Sequence, residues 1–545
     1  MKKKLCVRVA TVLFLLGLLV GEAIAEGVLV TLNGDTFGPG DRMDVSVAAN
    51  AGEIPMPVAD VYLAVVLPDG SVWCVTGDGV FSAPGQISAA LSGWQVETIP
   101  AGVALSLTVP SGLPLGTYSW LLILCPPGSD VLDPANWSAY DAAQWRLFEV
   151  VQSPTQRDTV PTVPASNIAE LVAGNAGFAL NLYQELKGEE GNLFYSPYSI
   201  SLALAMTYAG ARGETERQMA QTLGFSLPQE RLHPAFNALD LELLSRSQTE
   251  GQDTEGFRLN IANSIWGQTG YTFLPDFLEV LGRNYGAGMR LLDFMSEPED
   301  SRLVINDWVS RETEGKIEDL IPPGAISTFT RLVLANAIYF NAAWAFAFPE
   351  DTTREGIFHL LDGGEKTASM MSQTETFRHA SGSGYQAVEL PYKGFRLSMV
   401  VLLPDSGMFQ EFEASLDAGR LDAILGDLRQ AEIRLSMPKF TFESAFSLKE
   451  ILPLMGMTDA FSGQADFSGM DGTRNLLISD VLHKAFVAVD EAGTEAAAAT
   501  AVIVIGTGIP AEPIPFTVDR PFIFFIRDIE TGAVLFVGRV LNPAP

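Results

Sequence analysis

The chain has 545 residues, with 34 Lys and Arg against 65 Asp and Glu, a formal net charge of −31 at pH 7 and 47% hydrophobic residues. That length exceeds one ordinary hydrophobic core, so at least two domains are expected. The acidity argues against nucleic acid as a partner and disfavours anionic membranes and heparin-like polymers, because polyanions are held by clustered Lys and Arg.

The first residues, MKKKLCVRVATVLFLLGLLVGEAIA, combine a basic start, an apolar run of about a dozen residues and the small-residue pattern Ala23-Ile24-Ala25. They predict a secretory signal peptide over residues 1–25, cleaved after Ala25. The run is shorter than the ~20 residues of a spanning helix, so an exported, soluble product is expected rather than an anchored one. Cleavage removes Lys2, Lys3, Lys4 and Arg8 against a single acid, Glu22, and leaves the product more acidic still.

Residues 27–151 then alternate short β-like runs with Gly, Pro and Asp turns, among them VLVTLN, MDVSVAAN, ADVYLAVVLPDG, ALSLTVP, TYSWLLILC and WRLFEVV. The spacing predicts an all-β, sandwich-like domain. Cys74 and Cys125 are the cysteines left once the signal is removed. In an exported domain a disulfide between them is one expectation and two separate core thiols the other. Asn136-Trp137-Ser138 is a weak glycosylation motif. QSPTQRDTVPTVPAS (152–166) is rich in Pro, Thr and Ser and predicts a semi-extended linker that lets the flanking domains move independently.

Beyond the linker the most informative stretch is EAGTEAAAATAVIVI (491–505). In a strand, Thr494, Ala496, Ala498, Thr500, Val502 and Val504 would share one face, with nothing large or charged among them. The other face carries Ala497, Ala499, Ala501, Ile503 and one charge, Glu495. Alone, the stretch reads equally well as the end of an alanine-rich helix or a loop. Its neighbours decide the matter. LLISDVLHKAFVAVDEAGTEA (476–496) precedes it, and FTVDRPFIFFIRDIETGAVLFVGRVLNP (516–543) follows as two apolar β runs about the turn Glu530-Thr531-Gly532. Upstream, in order, stand NLFYSPYSISLALAMTYAGARGETERQM (192–219), INDWVSRETEGKIEDLI (305–321), LANAIYFNAAWAFAF (334–348) and MPKFTFESAFSLKEILPLMGMTDAF (437–461).

Together these blocks resemble the serpin family over about residues 167–545. The resemblance implies an α+β fold with helices around a large mixed sheet, further β-sheets and an exposed reactive-centre loop. It implies inhibition of serine proteases as a suicide substrate: the protease cuts the loop, the freed segment enters the central sheet, and the acyl-enzyme is trapped. The hinge would be Glu491, Gly493, Thr494, Glu495, Ala496, Ala497, Ala498 and Ala499, with Thr494 the first side chain to turn inward once the loop is cut. Counting forward from Glu491 in the family manner places the cleaved bond between Thr507 and Gly508, with Ile505-Gly506 as the alternative. Ser196, Ser199, Asn336 and His483 match the shutter that holds the sheet closed, and Trp344 the tryptophan at the breach where the strand enters. Extended, residues 491–505 would span about 50 Å. No Arg or Lys occurs in 492–519, so the expected targets are elastase-like or subtilisin-like rather than trypsin-like proteases.

Enzymatic signatures are lacking. The four histidines, 233, 359, 379 and 483, form no HExxH helix, and there is no GxSxG elbow, phosphate loop or GxGxxG fingerprint. No catalytic residue, metal or cofactor is expected. The alternatives are a non-inhibitory serpin acting as carrier or chaperone, or an adhesion protein working through residues 27–151, whose ligand the sequence leaves unknown.

Overall fold

A computed structural model describes residues 27–544, apart from 33–35, 38–41, 68–70, 78–79, 83–85, 110–112, 114–115, 134–135, 148, 152–156, 247–256 and 495–511. The chain divides into two compact units, Met1–Val150 and Val151–Pro545. The signal segment lies outside the described residues.

In the first unit, strands Val28–Leu32, Arg42–Ala49 and Ile99–Thr108 form one antiparallel sheet. A second sheet takes the spatial order Thr36–Phe37, Ala139–Leu147, Gly116–Cys125, Val58–Val66, Val72–Cys74, with Leu91–Gln95 also paired to Val58–Val66. Val30, Met43 and Val45 of the first sheet and Leu63, Trp120 and Leu122 of the second share one apolar core. Trp120 Nε1 reaches Met43 Sδ at 3.3 Å. The run TYSWLLILC lacks polar alternation because Gly116–Cys125 is covered on both faces, with Leu121, Ile123 and Cys125 packing against Val66 and Val131 on the outer side.

The cysteines are free and buried, which corrects the disulfide expectation. Cys74 stands opposite Ala64 and Cys125 opposite Asp60, on the two flanks of Val58–Val66. Two strand spacings and a four-residue offset put their Cα atoms ~16 Å apart, where a disulfide needs less than about 7 Å. Burial raises both thiol pKa values, Cys125 to about 11.

The second unit is built on a mixed sheet in which Met289–Leu292, Phe257–Gln268, Leu332–Ala343, Gly493–Thr494, Asp480–Val489 and Phe440–Ser447 follow one another in space. Every residue of Leu332–Ala343 except Asn341 is buried. Helix Pro197–Tyr208 packs beneath that strand and Phe257–Gln268, and helix Pro298–Glu312 contacts the same two strands. Helix Pro197–Tyr208 is buried along its whole length and accordingly apolar nearly all round. A nine-stranded sheet holds Leu193–Tyr195, Val534–Val540, Phe522–Asp528, Leu397–Pro404, Tyr385–Pro391, Glu365–Gly382, Arg429–Pro438 and Ile514–Thr517 in order, with Arg354–His359 paired to Glu365–Gly382.

The end of the supposed linker is not free. Arg157 donates to Asn237 Oδ1 at 2.9 Å and to Asp240 Oδ2 at 2.6 Å. The Asp158 N–H donates to Arg283 O at 2.9 Å, and Asp158 O accepts from the Asn237 side-chain amide at 2.7 Å. Its Pro and Thr content is compatible with an extended strap, and the sequence alone does not reveal the polar row Asn237–Asp240 on helix Gln229–Ser245 that receives it.

Candidate functional site: a cleft in the large sheet

Strands Leu332–Ala343 and Asp480–Val489 run parallel and pair directly from Val333↔Asp480 to Tyr339↔Phe486. Above that they part. Gly493–Thr494 lies between them, antiparallel to both, with Ala342↔Thr494, Ala343↔Gly493 and Val489↔Thr494 in register. The chain reverses through a tight turn in which Asp490 Oδ1 accepts from the backbone of Ala492 and Gly493, and Asp490 N donates to Gly493 O. Thr494 is fully buried, its hydroxyl 2.8 Å from that of Tyr392. Only glycine fits at 493, since a Cβ there would lie 2.2 Å from Ala342 O. Sequence reasoning put Thr494 inside the sheet only after cleavage. The structure has it inside in the uncut chain, because the Asp490 turn aims the segment straight into the gap.

Trp344 stands at this mouth. Its Nε1 donates to Asp490 O at 3.0 Å, its backbone N–H to Ala492 O at 2.9 Å, and its ring stacks on Tyr392 with centroids 4.6 Å apart. Glu491 is gripped by Lys439 Nζ at 2.6 Å and Thr353 Oγ1 at 2.7 Å. Burial pushes the Glu491 pKa up, but these two hydrogen bonds outweigh it and hold the carboxyl below its ordinary range.

Some six residues below the wedge, about 20 Å along the strand, the closed stretch is crossed by a polar row. Asn263, Asn336 and His483 stand in register on three neighbouring strands. Ser196 caps helix Pro197–Tyr208, accepting from Ser199 N at 3.1 Å. The Ser196 N–H donates to His483 Nε2 at 3.2 Å, so that nitrogen is bare and Nδ1 carries the proton it gives to Asn336 Oδ1. Asn336 Nδ2 donates to Ser199 Oγ at 2.7 Å and also to Asn263 Oδ1. Burial lowers the His483 pKa to about 3. A protonated ring would turn a second N–H against the Ser196 N–H.

The structure thus brings Ser196, Ser199, Asn336 and His483 together, and places Trp344, Glu491, Gly493 and Thr494 at one end of the same sheet. Glu495, Ala496, Ala497, Ala498, Ala499, Ile505, Gly506, Thr507 and Gly508 lie outside the described residues. Sequence reasoning missed Asn263, Tyr392, Lys439 and Thr353. An Asn inside the apolar run IANSIWG was a usable signal for the first. The others depend on pairings across long stretches of chain. Among the described residues no cluster of His, Cys, Asp and Glu could hold a metal.

A divided sheet whose cleft already holds the start of the intervening segment defines the class of this fold. The chain belongs to the serpin (serine protease inhibitor) family, whose model matches residues 173–543. It is 40% identical over 396 residues to a serpin-like protein of Thermococcus kodakarensis, covering 71% of this chain and 91% of that one. With leukocyte elastase inhibitor of Xenopus tropicalis it shares 39% identity over 67% of this chain and 97% of the relative. With human serpin B3 it shares 39% over 68% and 99%. Among solved structures, a thermophilic serpin, tengpin, in the native state matches with a TM-score of 0.63 at 30% identity, covering 72% of this chain and 97% of that one. Uncleaved ovalbumin matches with 0.61 at 28%, covering 69% and 100%.

Proposed function

We propose that the second unit inhibits serine proteases as a suicide substrate, by cleavage between Thr507 and Gly508 or between Ile505 and Gly506 and insertion of residues 491–505 into the large sheet. The observation that carries this reading is the wedge of Gly493–Thr494 at the top of a parallel pair. Insertion exchanges that pair, Val333–Tyr339 against Asp480–Phe486, for two antiparallel pairings, which are the better bonded kind. A net gain of several backbone hydrogen bonds, each worth ~1 kcal/mol, drives it, and the small side chains after Thr494 raise little steric objection. The row of Ser196, Ser199, Asn336 and His483 acts as the shutter that parts on insertion, and Trp344 marks the breach. The face of the hinge that would turn inward, Thr494, Ala496 and Ala498, lacks the charge, proline or bulk expected of a carrier or chaperone.

Elastase-like or subtilisin-like enzymes are the proposed targets, supported by the absence of Lys and Arg from 492–519 and by relatives named as leukocyte elastase inhibitors. Export after cleavage at Ala25 is part of the proposal, checked by amino-terminal sequencing of secreted protein. Incubation with elastase, subtilisin and trypsin, then denaturing gels and mass measurement, tests the rest. The expected result is a covalent complex with elastase or subtilisin and release of 508–545 or 506–545. Stoichiometric inhibition of trypsin alone would refute the specificity.

A further inference from the structure

The strap at residues 157–164 is joined to the polar row beneath the sheet by a single carboxylate. Asp240 Oδ2 accepts from Arg157 Nη2 at 2.6 Å, and Asp240 Oδ1 accepts from the Tyr198 hydroxyl at 3.2 Å. Tyr198 sits in helix Pro197–Tyr208 between Ser196 and Ser199, the two residues through which that helix engages His483 and Asn336. Arg157 is fixed from three sides. Its Nε donates to Asn237 Oδ1, whose amide in turn donates to Asp158 O, and its stem lies on Gly286, where a Cβ would meet Arg157 Cδ at 3.0 Å. The Arg157 and Asp240 side chains are only 20% and 14% exposed, so the pair is shielded from the screening that makes surface ion pairs weak.

We propose that Arg157, Asp240 and Tyr198 form a latch that holds the large sheet closed, making the segment ahead of the first helix a brake on strand uptake. The inference rests on the insertion reading above. Opening the sheet separates Leu332–Ala343 from Asp480–Val489, and the strands on the Leu332–Ala343 side must slide over helix Pro197–Tyr208, which packs against both Phe257–Gln268 and Leu332–Ala343. Helix Gln229–Ser245 precedes Phe257–Gln268 in the chain and packs against helix Pro275–Tyr285. The strap bonds to both of these helices through Asn237, Asp240 and Arg283, while Tyr198 belongs to the helix underneath. The latch therefore ties the helix beneath the sheet to two neighbouring helices, Gln229–Ser245 and Pro275–Tyr285, whose shift relative to it would have to accompany opening. Without Arg157 the mostly buried Asp240 carboxylate keeps only the Tyr198 hydroxyl, and its hold on the underlying helix loosens.

The test is uptake of a synthetic peptide, TEAAAATAVIVI (residues 494–505 of this chain), by the uncut full-length protein, followed as a shift on native gels. Arg157→Ala and Tyr198→Phe, the latter keeping the ring and removing the hydroxyl, should each take up peptide about tenfold faster than the parent, as befits loss of one charge-assisted bond before the rate-limiting opening. Because the two act through one carboxylate, the double variant should be no faster than Arg157→Ala alone. Parental uptake rates in both single variants would overturn the latch, and so would multiplicative acceleration in the double variant. Thermal unfolding of loop-cleaved parent separates the two claims. If cleavage raises the midpoint while the variants behave as the parent, the latch alone falls. If cleavage leaves the midpoint unchanged, insertion falls and the latch with it.

Discussion

Replacing Thr494 with arginine puts a cation where the structure has a fully buried hydroxyl, in register with Ala342 on one side and Val489 on the other and 2.8 Å from the Tyr392 hydroxyl. The lost hydroxyl bond is worth ~1 kcal/mol, and an unpaired charge buried in its place costs a further ~3–5 kcal/mol. The chain escapes that cost by withdrawing the hinge from the sheet, which needs only the three residue pairings of Gly493 and Thr494, with Ala343, Ala342 and Val489, to break. The uncut protein should therefore fold, with a loop more open to proteases than the parent's. After cleavage the same penalty returns at the first step of insertion, because every later residue must follow Thr494 through the gap beside Trp344. A barrier raised by ~4 kcal/mol slows insertion roughly a thousandfold, and deacylation then wins. The expected outcome is cleavage at the parental bond with little covalent complex on a denaturing gel and many inhibitor molecules consumed per protease. Thr494→Ser, which keeps the hydroxyl, should inhibit as the parent does. If Thr494→Arg traps protease at parental stoichiometry, the wedge is not the entry point of the strand.

Gly493→Ala should displace the hinge by steric means, since its Cβ would fall 2.2 Å from Ala342 O; limited proteolysis should cut the loop faster in the variant, and an unchanged rate would contradict the close approach. Acid should destabilise the protein through His483 and His233, whose pKa values burial lowers to about 3 from an ordinary 6.5. The unfolded chain binds those protons first as pH falls, so this part of the stability is complete above pH ~6.5 and is lost progressively towards pH ~3. Denaturant unfolding of His483→Asn should show a shallower pH slope over that window than the parent, and an identical slope would mean that His483 is not held neutral. Both Cys74 and Cys125 should be alkylated on denaturation without reductant, as both are free; a mass lacking both adducts would restore the disulfide. A chain beginning at Arg157 should unfold at a higher temperature than one beginning at Ser166, because only the former keeps the Asp240 ion pair.

The legible parts of this protein are those whose chemistry is local. In the structure Ser196 caps helix Pro197–Tyr208, with Pro197 at its first position, and the apolar run LVLANAIYFNAA forms a strand covered on both faces, so local chemistry accounts for both elements. What stayed hidden depends on register between distant segments. Lys439 reaches Glu491 across 52 residues and Tyr392 reaches Thr494 across 102, and no periodicity encodes such meetings. The strap misled for a related reason. Pro and Thr dictate an extended backbone, but whether that backbone is loose or bound depends on Asn237 and Asp240 some eighty residues on. In the first unit, the run WRLFEVV marked only the end of strand Ala139–Leu147; its first six residues, AYDAAQ, escaped notice because they carry little β preference, and pairing with Gly116–Cys125 supplies what they lack.

Downstream of the loop, Ile514–Thr517 joins Arg429–Pro438 at one edge of the nine-stranded sheet and the next two strands lie inside it, between Leu193–Tyr195 and Leu397–Pro404, with Phe522, Phe524 and Phe536 wholly buried. A chain severed anywhere in 505–508 therefore comes apart covalently without coming apart physically. The smaller piece carries an edge strand and two strands of the larger one's interior, and releasing it means dismantling that interior. Size-exclusion chromatography should show a nicked molecule of undiminished mass, and the two-piece form would persist as one particle, its history of having met a protease recorded in a single missing bond.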